Sequence, residues 1–507
     1  MFLKSSLLMT SGLGFDTYVR EEVREERVQV KKPHVILIMT DQHRGDALGC
    51  MGNSAVISPN LDRLAKEGTL FVNGYSASPS STPARAGLLT GMSPWHHGML
   101  GYGRVAEKYT YEMPQMLRNL GYYTFGVGKM HWFPQKALHG FHTTLIDESG
   151  RVESKDFISD YREWFQLHAP GENPDLTGID WNAHGAGIYK LPEKLHPTAW
   201  TGQTACELIR NYNCDKPLFL KVSFARPHSP YDPPKRYLDM YKDADIPKPS
   251  VGDWCGKYAE RLDPEKVDAP FGNFGDEYAV KSRRYYYANI TFIDDQIGEI
   301  IAVLKERGMY DNAIICFTAD HGDMLGDHYH WRKTYPYEGS THIPYIVKWP
   351  AGMYKKVPLG ARIEQPVELR DFLPTFIELA GGAVPPDMDG KSLLKLVQGQ
   401  ESEWRKYLDM EHATCYSQDN YWCALTDGKI KYVWNFHTGK EELFDLRKDP
   451  NELVECSGKP AYATQLKEMR QAMVDHLAER DETFVKDGKL VVRETTMLYS
   501  PNYPQTK

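Results

Sequence analysis

The chain of 507 residues lacks several features that would place it in a specialised class. It has no apolar segment long enough to cross a bilayer, no internal repeat and no low-complexity segment. Its eight cysteines are scattered without metal-ligand spacing, and they are too few for a disulfide scaffold in a chain of this size. These absences exclude a protein with membrane-spanning helices, a repeat protein and a small disulfide-rich domain.

Positive charge is also scarce, because 60 Lys and Arg stand against 68 Asp and Glu and leave a net charge of −8. Since general nucleic-acid binding needs a basic face, no nucleic-acid partner is expected. An anionic substrate would have to be bound by a local cationic pocket. The rest of the composition, 41% hydrophobic and 25% charged, is that of an ordinary globular protein large enough for two structural units.

Residues 1–32 differ from the rest of the chain and are interpreted as a leader. Leu7-Leu8-Met9 is a short apolar stretch after a single Lys, which suits a short export signal. A leader without regular structure is the alternative, and the charged run from 21 to 32 suits a solvated connector. With an export signal, the protein would be periplasmic or secreted.

Apolar strands alternate with amphipathic helices from Lys32 onward. A continuous apolar run predicts a buried parallel strand at 35–39, and further strands are predicted at 123–127, 218–224 and 312–317. Helical periodicity predicts helices at 59–67, 113–120 and 285–307. The alternation predicts an α/β fold with a mostly parallel sheet flanked by helices. Beyond about residue 400, a hairpin at Thr426-Asp427-Gly428 and a helix near 462–480 predict a smaller α+β unit, so the expected domains are 33–400 and 401–507.

Groups that can hold a cation follow two of these strands. Asp41 and Gln42 follow the first strand, and Asp320 and His321 follow the strand at 312–317. The carboxyl ends of parallel strands meet at one edge of a sheet, and converging oxygen ligands bind a hard divalent cation. For each residue alone, a helix cap or a turn is the alternative.

One serine and five basic residues complete the candidate site: Ser81, Arg85, Lys129, His131, His228 and Lys333. Cationic donors stabilise charge that develops on ester oxygens during cleavage, and a His can protonate the leaving group. One helical turn places Arg85 on the same face as Ser81. Taken singly, the lysines equally suit surface charges, the histidines suit structural roles, and Ser81 suits a helix cap.

The order of these segments resembles the type I sulfatase family over about residues 33–450. The segment Ser81-Thr82-Pro83-Ala84-Arg85, running into Leu88-Leu89-Thr90-Gly91, is the centre of the likeness. The other matching segments are Ile38 to Gln42, Pro59 to Ala65, Gly128 to His131, Arg226 to Pro230, Thr318 to Asp323, Lys333 ahead of Tyr337-Glu338-Gly339, and Pro374-Thr375. The resemblance implies an alkaline-phosphatase-like α/β core with a small C-terminal domain, and an enzyme that hydrolyses sulfate esters.

The resemblance also implies a modified nucleophile and a metal. Ser81 stands where the family carries formylglycine, an aldehyde whose hydrate offers one hydroxyl to attack sulfur and a second to expel sulfate. The matching Ca²⁺ ligands are Asp41, Gln42, Asp320 and His321, with the modified Ser81 completing the set. Many members carry Asp at the Gln42 position and Asn at the His321 position, and the nitrogen of His321 is a ligand that calcium favours less.

The basic residues receive roles from the same resemblance. Arg85 and Lys129 would hold the formylglycine and the sulfate, and His131 would assist the hydrated aldehyde. His228 and Lys333 would contact the sulfate and the leaving oxygen, with His228 as general acid.

The substrate expected from the resemblance is a sulfated oligosaccharide. The Asp320-His321 pair and the Arg226 to Pro230 segment resemble iduronate and uronate 2-O-sulfatases, which implies a 2-O-sulfated uronic acid from a glycosaminoglycan. A serine at position 81 resembles bacterial members, whose serine is converted by a radical formylglycine-generating enzyme. Trp132, Trp331 and Tyr335 are candidates for lining a sugar subsite.

Two other functions stay open from the sequence. One is a phosphomonoester or phosphonate monoester hydrolase on the same scaffold. The other is a sulfated-glycan-binding protein without activity, which would follow if Ser81 stays unmodified.

Overall fold

The computed structural model describes residues 32–504, apart from 152–153, 262, 264–265, 354–356 and 401–403. The leader expected at 1–32 lies outside the described residues except for Lys32, so export stays a prediction. In the part of the chain that the structure describes, no helix is long and apolar enough to cross a membrane. Lys32–Lys507 forms one compact unit, and the expected domain boundary near residue 400 stays a prediction.

Strands and helices are numbered in chain order. The strands are β1 (His34–Asp41), β2 (Thr69–Phe71), β3 (Gly74–Tyr75), β4 (Tyr123–Gly128), β5 (Thr143–Ile146), β6 (Leu218–Pro227), β7 (Ala313–Ala319), β8 (Tyr345–Lys348), β9 (Ala361–Ile363), β10 (Val367–Glu368), β11 (Leu408–His412), β12 (Trp422–Thr426), β13 (Ile430–Asn435), β14 (Glu441–Asp445), β15 (Val485–Lys486) and β16 (Lys489–Leu490). The helices are α1 (Pro59–Glu67), α2 (Ser81–Thr90), α3 (Pro94–His97), α4 (Met113–Asn119), α5 (Asp160–His168), α6 (Pro197–Asn211), α7 (Lys235–Asp239), α8 (Asp276–Glu306), α9 (Glu338–Thr341), α10 (Phe372–Leu379), α11 (Leu394–Val397) and α12 (Ala463–Leu477).

An eight-stranded sheet of order β5-β4-β6-β1-β7-β8-β2-β9 forms the centre of the molecule. The five strands from β5 to β7 are mutually parallel, and β8 runs antiparallel to both of its neighbours. All eight residues of β1 are buried, because successive side chains enter hydrophobic cores on opposite faces. Helices α6 and α8 contact one another, and α6 packs against β6. This architecture confirms the expected α/β fold with a mostly parallel, helix-flanked sheet.

The C-terminal part of the chain contains a four-stranded antiparallel sheet of order β11-β12-β13-β14. The apolar face of α12, with Met469, Met473 and Leu477, packs into the same core as Leu425 and Tyr432 of this sheet. The hairpin expected around Thr426-Asp427-Gly428 joins β12 to β13. The smaller α+β element expected in this region is therefore confirmed.

Helix α8 starts at Asp276 and not near residue 285 as the periodicity predicts. Its first turns present polar groups to the interior, because Ser282 donates to the His184 carbonyl and Arg283 pairs with Asp327 at 2.5 Å. A hydrophobic pattern does not detect a helix start that is stabilised by buried polar contacts.

Candidate active site

Four neighbouring strands of the central sheet end at the same edge and carry polar residues there. In spatial order these strands are β4, β6, β1 and β7, and Lys129, His228, Asp41 and Asp320 lie at their carboxyl ends. The backbone of β4 turns at Gly128, which has a φ of +90°, and a Cβ at this position would lie 2.1 Å from the Ser223 carbonyl oxygen of β6. Only glycine therefore lets β4 deliver Lys129 so close to β6.

Ser81 is the first residue of α2 and lies at the centre of this edge, 1% exposed. Its Oγ is 3.3 Å from Oδ2 of Asp41 and 3.1 Å from Nε2 of His321. Arg85, one helical turn later, reaches the same group: its Nη2 is 3.0 Å from Asp41 Oδ2 and its Nε is 3.0 Å from Asp320 Oδ2. The structure thus brings together residues that are up to 280 positions apart in the chain.

Three buried side chains have the arrangement of a metal site. Ligand atoms of Asp41, Asp320 and His321 all lie within 4.8 Å of one another. Cations contact Oδ2 of both carboxylates, whereas Oδ1 of Asp41 has no hydrogen-bond partner among the described residues. The Nδ1 of His321 lies 2.9 Å from the Gly322 carbonyl, so Nδ1 carries the proton and Nε2 presents its lone pair. An unpartnered carboxylate oxygen and a free imidazole lone pair fit a divalent cation.

The side chain of Gln42 lies beside this cluster and makes hydrogen bonds to two neighbouring side chains. Its Oε1 accepts a hydrogen bond of 2.9 Å from Lys333 Nζ, and its Nε2 donates to Asp323 Oδ2 at 2.6 Å. The amide oxygen keeps a second lone pair for a cation, so a ligand role for Gln42 stays a prediction.

Positive charge surrounds Asp41. Lys129 Nζ is 2.8 Å from Asp41 Oδ2, in addition to the contact with Arg85. Burial alone would raise the pKa of Asp41, but the neighbouring cations, Lys129 foremost, outweigh it and hold the pKa well below 3.8. Asp41 is therefore an anion throughout the physiological pH range, as a metal ligand must be.

Lys333 and His228 form a hydrogen-bonded pair above the serine. Lys333 Nζ is 2.9 Å from His228 Nε2, and His228 Nδ1 is 3.0 Å from the Ser229 carbonyl oxygen. Burial, together with Lys333 and Lys129, lowers the pKa of His228 well below 6.5, so the imidazole is neutral. Its Nδ1 therefore holds the proton, and its Nε2 accepts from the Lys333 ammonium. Burial also lowers the pKa of Lys333, to about 8.

The sequence matches known families over most of its length. Residues 33–383 match the family described as Sulfatase, and residues 326–479 match the C-terminal region of N-sulphoglucosamine sulphohydrolase. An arylsulfatase of Clostridium perfringens is 37% identical over 473 residues, which cover 91% of this chain and 97% of that protein. The chain belongs to the sulfatase family.

Two further comparisons concern a curated sulfatase and a solved structure. Human iduronate 2-sulfatase is 27% identical over 429 residues, covering 74% of this chain and 76% of that protein. The crystal structure of a phosphonate monoester hydrolase of Agrobacterium radiobacter superposes with a TM-score of 0.75 at 24% identity, covering 91% of this chain and all of that one. This second likeness shows the alkaline-phosphatase-like fold. Sulfatases hydrolyse sulfate esters, and the family generally uses formylglycine and a divalent metal.

His131 lies at the rim of the sulfatase site. It is buried, its backbone N–H donates to Glu148 Oε1 at 2.9 Å, and its Nε2 is 3.5 Å from the Tyr102 hydroxyl. Burial lowers the pKa of His131 well below 6.5, with Arg151 and Lys129 adding to the effect. The imidazole is thus neutral, as a group that accepts a proton must be.

The three aromatic candidates for a sugar subsite, Trp132, Trp331 and Tyr335, are all buried. Trp132 packs against His139 and Phe141 in the core, and Trp331 stacks on His184; each has at most 2% of its surface exposed. The half-buried aromatic ring beside the site is Trp181, which stacks on His228 with 6.3 Å between ring centroids. Sequence inspection does not single out Trp181, because nothing in its neighbourhood has periodicity.

Proposed function

We propose that this sulfatase hydrolyses sulfate esters of carbohydrates with a formylglycine derived from Ser81. The observation that carries the proposal is the position of the Ser81 Oγ, 3.3 Å from Asp41 Oδ2 and 3.1 Å from His321 Nε2. Because Ser81 is buried, we expect its conversion by a Ser-type formylglycine-generating enzyme to precede folding. The hydrated aldehyde would supply one hydroxyl for attack on sulfur and a second whose deprotonation releases sulfate.

The cations of the site suit an ester that carries negative charge. Asp41, Asp320 and His321 would hold the divalent cation, which we propose to be Ca²⁺ and which would neutralise charge on a sulfate oxygen. Arg85 and Lys129 add fixed positive charge at the same place, in a region closed to water, where electrostatic stabilisation of a transition state is strongest. His131, neutral and at the rim, would accept a proton from the hydrated side chain.

The proton for the leaving group is held by Lys333, in our proposal, with His228 as its partner. In the resting arrangement His228 Nε2 accepts from Lys333 Nζ, so it has no proton of its own to give at that atom. Lys333, with a pKa of about 8, is protonated near neutral pH and is a stronger acid than an ordinary lysine. The proposal keeps both residues at the leaving oxygen, as the resemblance implies, and assigns the proton to Lys333 and not to His228.

For the sulfated ring we propose a 2-O-sulfated uronic acid of glycosaminoglycan oligosaccharides. The support is the likeness to human iduronate 2-sulfatase and the Asp320-His321 pair beside Ser81. Desulfation of defined disaccharides that differ only in the sulfate position tests it: release of 2-O-sulfate is expected, and exclusive release from another position would contradict it.

The mass of the Ser81 peptide decides between an enzyme and a glycan-binding protein. Oxidation of Ser81 to formylglycine makes the peptide lighter by about two mass units. We expect this shift in protein from a host with a Ser-converting enzyme, together with hydrolysis of p-nitrophenyl sulfate. Unmodified Ser81 in active protein would overturn the proposed nucleophile. Faster hydrolysis of p-nitrophenyl phosphate, or of a phosphonate monoester, would favour the other reaction class seen on this fold.

A further inference from the structure

A cavity of about 300 Å³ opens beside the proposed catalytic pair. It is lined by residues from four separate parts of the chain, among them Asp147, Arg162, Trp181 and Arg226. Its place is fixed relative to His228, because Arg226 and Pro230 flank that histidine in the chain and Trp181 stacks on its ring. The volume is at the lower end of the range for small-molecule sites. The cavity is therefore adjacent to His228, which belongs to the proposed catalytic pair.

Asp147 gives the cavity a polar group without a protein partner. The residue is 1% exposed, and its Oδ1 accepts a hydrogen bond of 3.0 Å from the Ser149 N–H. Its Oδ2 has no hydrogen-bond partner among the described residues. Buried polar atoms are almost always hydrogen-bonded, and leaving one unpaired is unfavourable. A donor supplied by a ligand in the cavity would satisfy this oxygen.

The charges around the cavity do not favour a second anion. Arg226 is held by Asp232, at 2.7 Å and 3.0 Å through two nitrogens, and Arg162 is held by Asp175 at 2.7 Å. Asp147 and Asp180 also line the cavity, and among the described residues neither has an ion-pair partner. The wall therefore carries two cations that are already paired and two further carboxyl groups, which disfavour a second sulfate or carboxylate and accept hydrogen bonds from hydroxyl groups.

We propose that this cavity is a subsite for an uncharged sugar ring joined to the sulfated ring. The ring lies against the indole of Trp181, and one of its hydroxyls donates to Asp147 Oδ2. The inference rests on the proposed function, since the sulfated ring must first be placed at Ser81. Beyond the proposed function, the inference states that a second sugar ring is bound next to the sulfated ring and that this second ring is uncharged.

The test compares kcat/KM for three substrates of the formylglycine-containing enzyme. These are the methyl glycoside of the sulfated ring, a sulfated disaccharide whose second ring is uncharged, and the matched disaccharide whose second ring carries a carboxylate. The wild-type enzyme should prefer the uncharged second ring. In Trp181→Ala and in Asp147→Asn, the ratio of kcat/KM for the uncharged disaccharide to that for the methyl glycoside, which has the same leaving group, should fall about tenfold, the effect of one lost stacking or hydrogen-bonding contact. Asp147→Asn keeps the side-chain shape and converts the acceptor to a donor.

Leu167→Ala serves as the control, because Leu167 lies on α5 with 81% of its surface exposed and does not line the cavity. Its ratio should equal that of the wild type. Trp181→Phe keeps a flat ring if Trp181→Ala does not fold, and it should retain more of the ratio than Asp147→Asn. An unchanged ratio in Asp147→Asn, or a wild-type preference for the carboxylate-bearing ring, overturns the subsite. Failure of the wild type on all three sulfates overturns the proposed function instead.

Discussion

Removal of divalent cations should destabilise the folded chain, and Asp320→Asn should abolish that effect. The reason lies in the arrangement around Ser81, where Oδ1 of Asp41 and Nε2 of His321 are both free of proton donors other than the serine hydroxyl. A cation that binds these atoms binds the native state and not the unfolded chain, so binding adds to the free energy of unfolding.

The size of the effect can be estimated in two parts. At a free cation concentration one hundred times the dissociation constant, binding stabilises the native state by about 2.7 kcal/mol. Asp320→Asn removes one of the two ligand charges, so this increment should vanish at the same concentration. The substitution also leaves Arg85 Nε, 3.0 Å from Asp320 Oδ2, without an ionic partner in a fully buried place. Breaking a buried pair in this way costs about 3–5 kcal/mol in the absence of metal.

Thermal unfolding in EDTA and in excess Ca²⁺ measures both parts without reference to activity. The wild type should unfold at a higher temperature in Ca²⁺, and Asp320→Asn should unfold early and at the same temperature in both buffers. Asp245→Asn, at an exposed carboxylate remote in sequence from the site, should behave as the wild type does. Equal Ca²⁺-dependent stabilisation in Asp320→Asn, or none in the wild type, would refute the metal site.

Three further outcomes are expected. Ser81→Cys should be active when produced in a host that modifies only cysteine, and Ser81→Ala should have no sulfatase activity in any host; turnover by the Ala variant would exclude Ser81 as the source of the nucleophile. His228→Asn, which removes the acceptor that positions the Lys333 ammonium, should reduce kcat/KM for a sugar sulfate about tenfold more than for p-nitrophenyl sulfate, because a poor leaving group depends more on protonation; equal losses would remove the Lys333–His228 pair from proton transfer. Hydrogen bonding to Asp389 raises the pKa of the half-buried His96 to about 9, so its contribution to stability is complete below its ordinary value of 6.5 and is lost as the pH rises through about 9. The unfolding temperature of His96→Gln should therefore lie below that of the wild type near pH 6 and match it near pH 10, and a difference that grows with pH would contradict the ion pair.

Much of the fold could be predicted because β1 and β7 are buried on both faces. Such strands are continuous apolar runs that stand out from the rest of the sequence. Functional polar residues are expected directly after their carboxyl ends. The ends of these two strands identify Asp41 and Asp320 as candidate ligands from the sequence alone. The position of Arg85 beside Ser81 could also be predicted, because one helical turn separates the two residues.

The subsite could not be predicted, and the reason is physical. Asp147 and Trp181 come from the irregular chain around α5, and they lie near His228 only because that chain folds back over the end of β6. No periodicity marks an irregular segment, and a list of aromatic residues does not say which ring stays half exposed. Trp132 and Trp331 were equally eligible from the sequence, yet both are core residues.

The two oxygens of each site carboxylate have different neighbours, and this explains how a chain with a net charge of −8 can bind an anionic ester. Arg85 and Lys129 contact only Oδ2 of Asp41, and Arg85 contacts only Oδ2 of Asp320, so the cations stabilise the carboxylates without covering the oxygens that face His321. Together with Lys333, three cations stand against two carboxylates within this buried cluster before any metal is added. Screening by salt is weak in such a closed place and strong at the exposed surface. At physiological ionic strength the local positive charge therefore determines the affinity for the bound ester. The distant surface carboxylates mainly affect the rate at which the ester reaches the site.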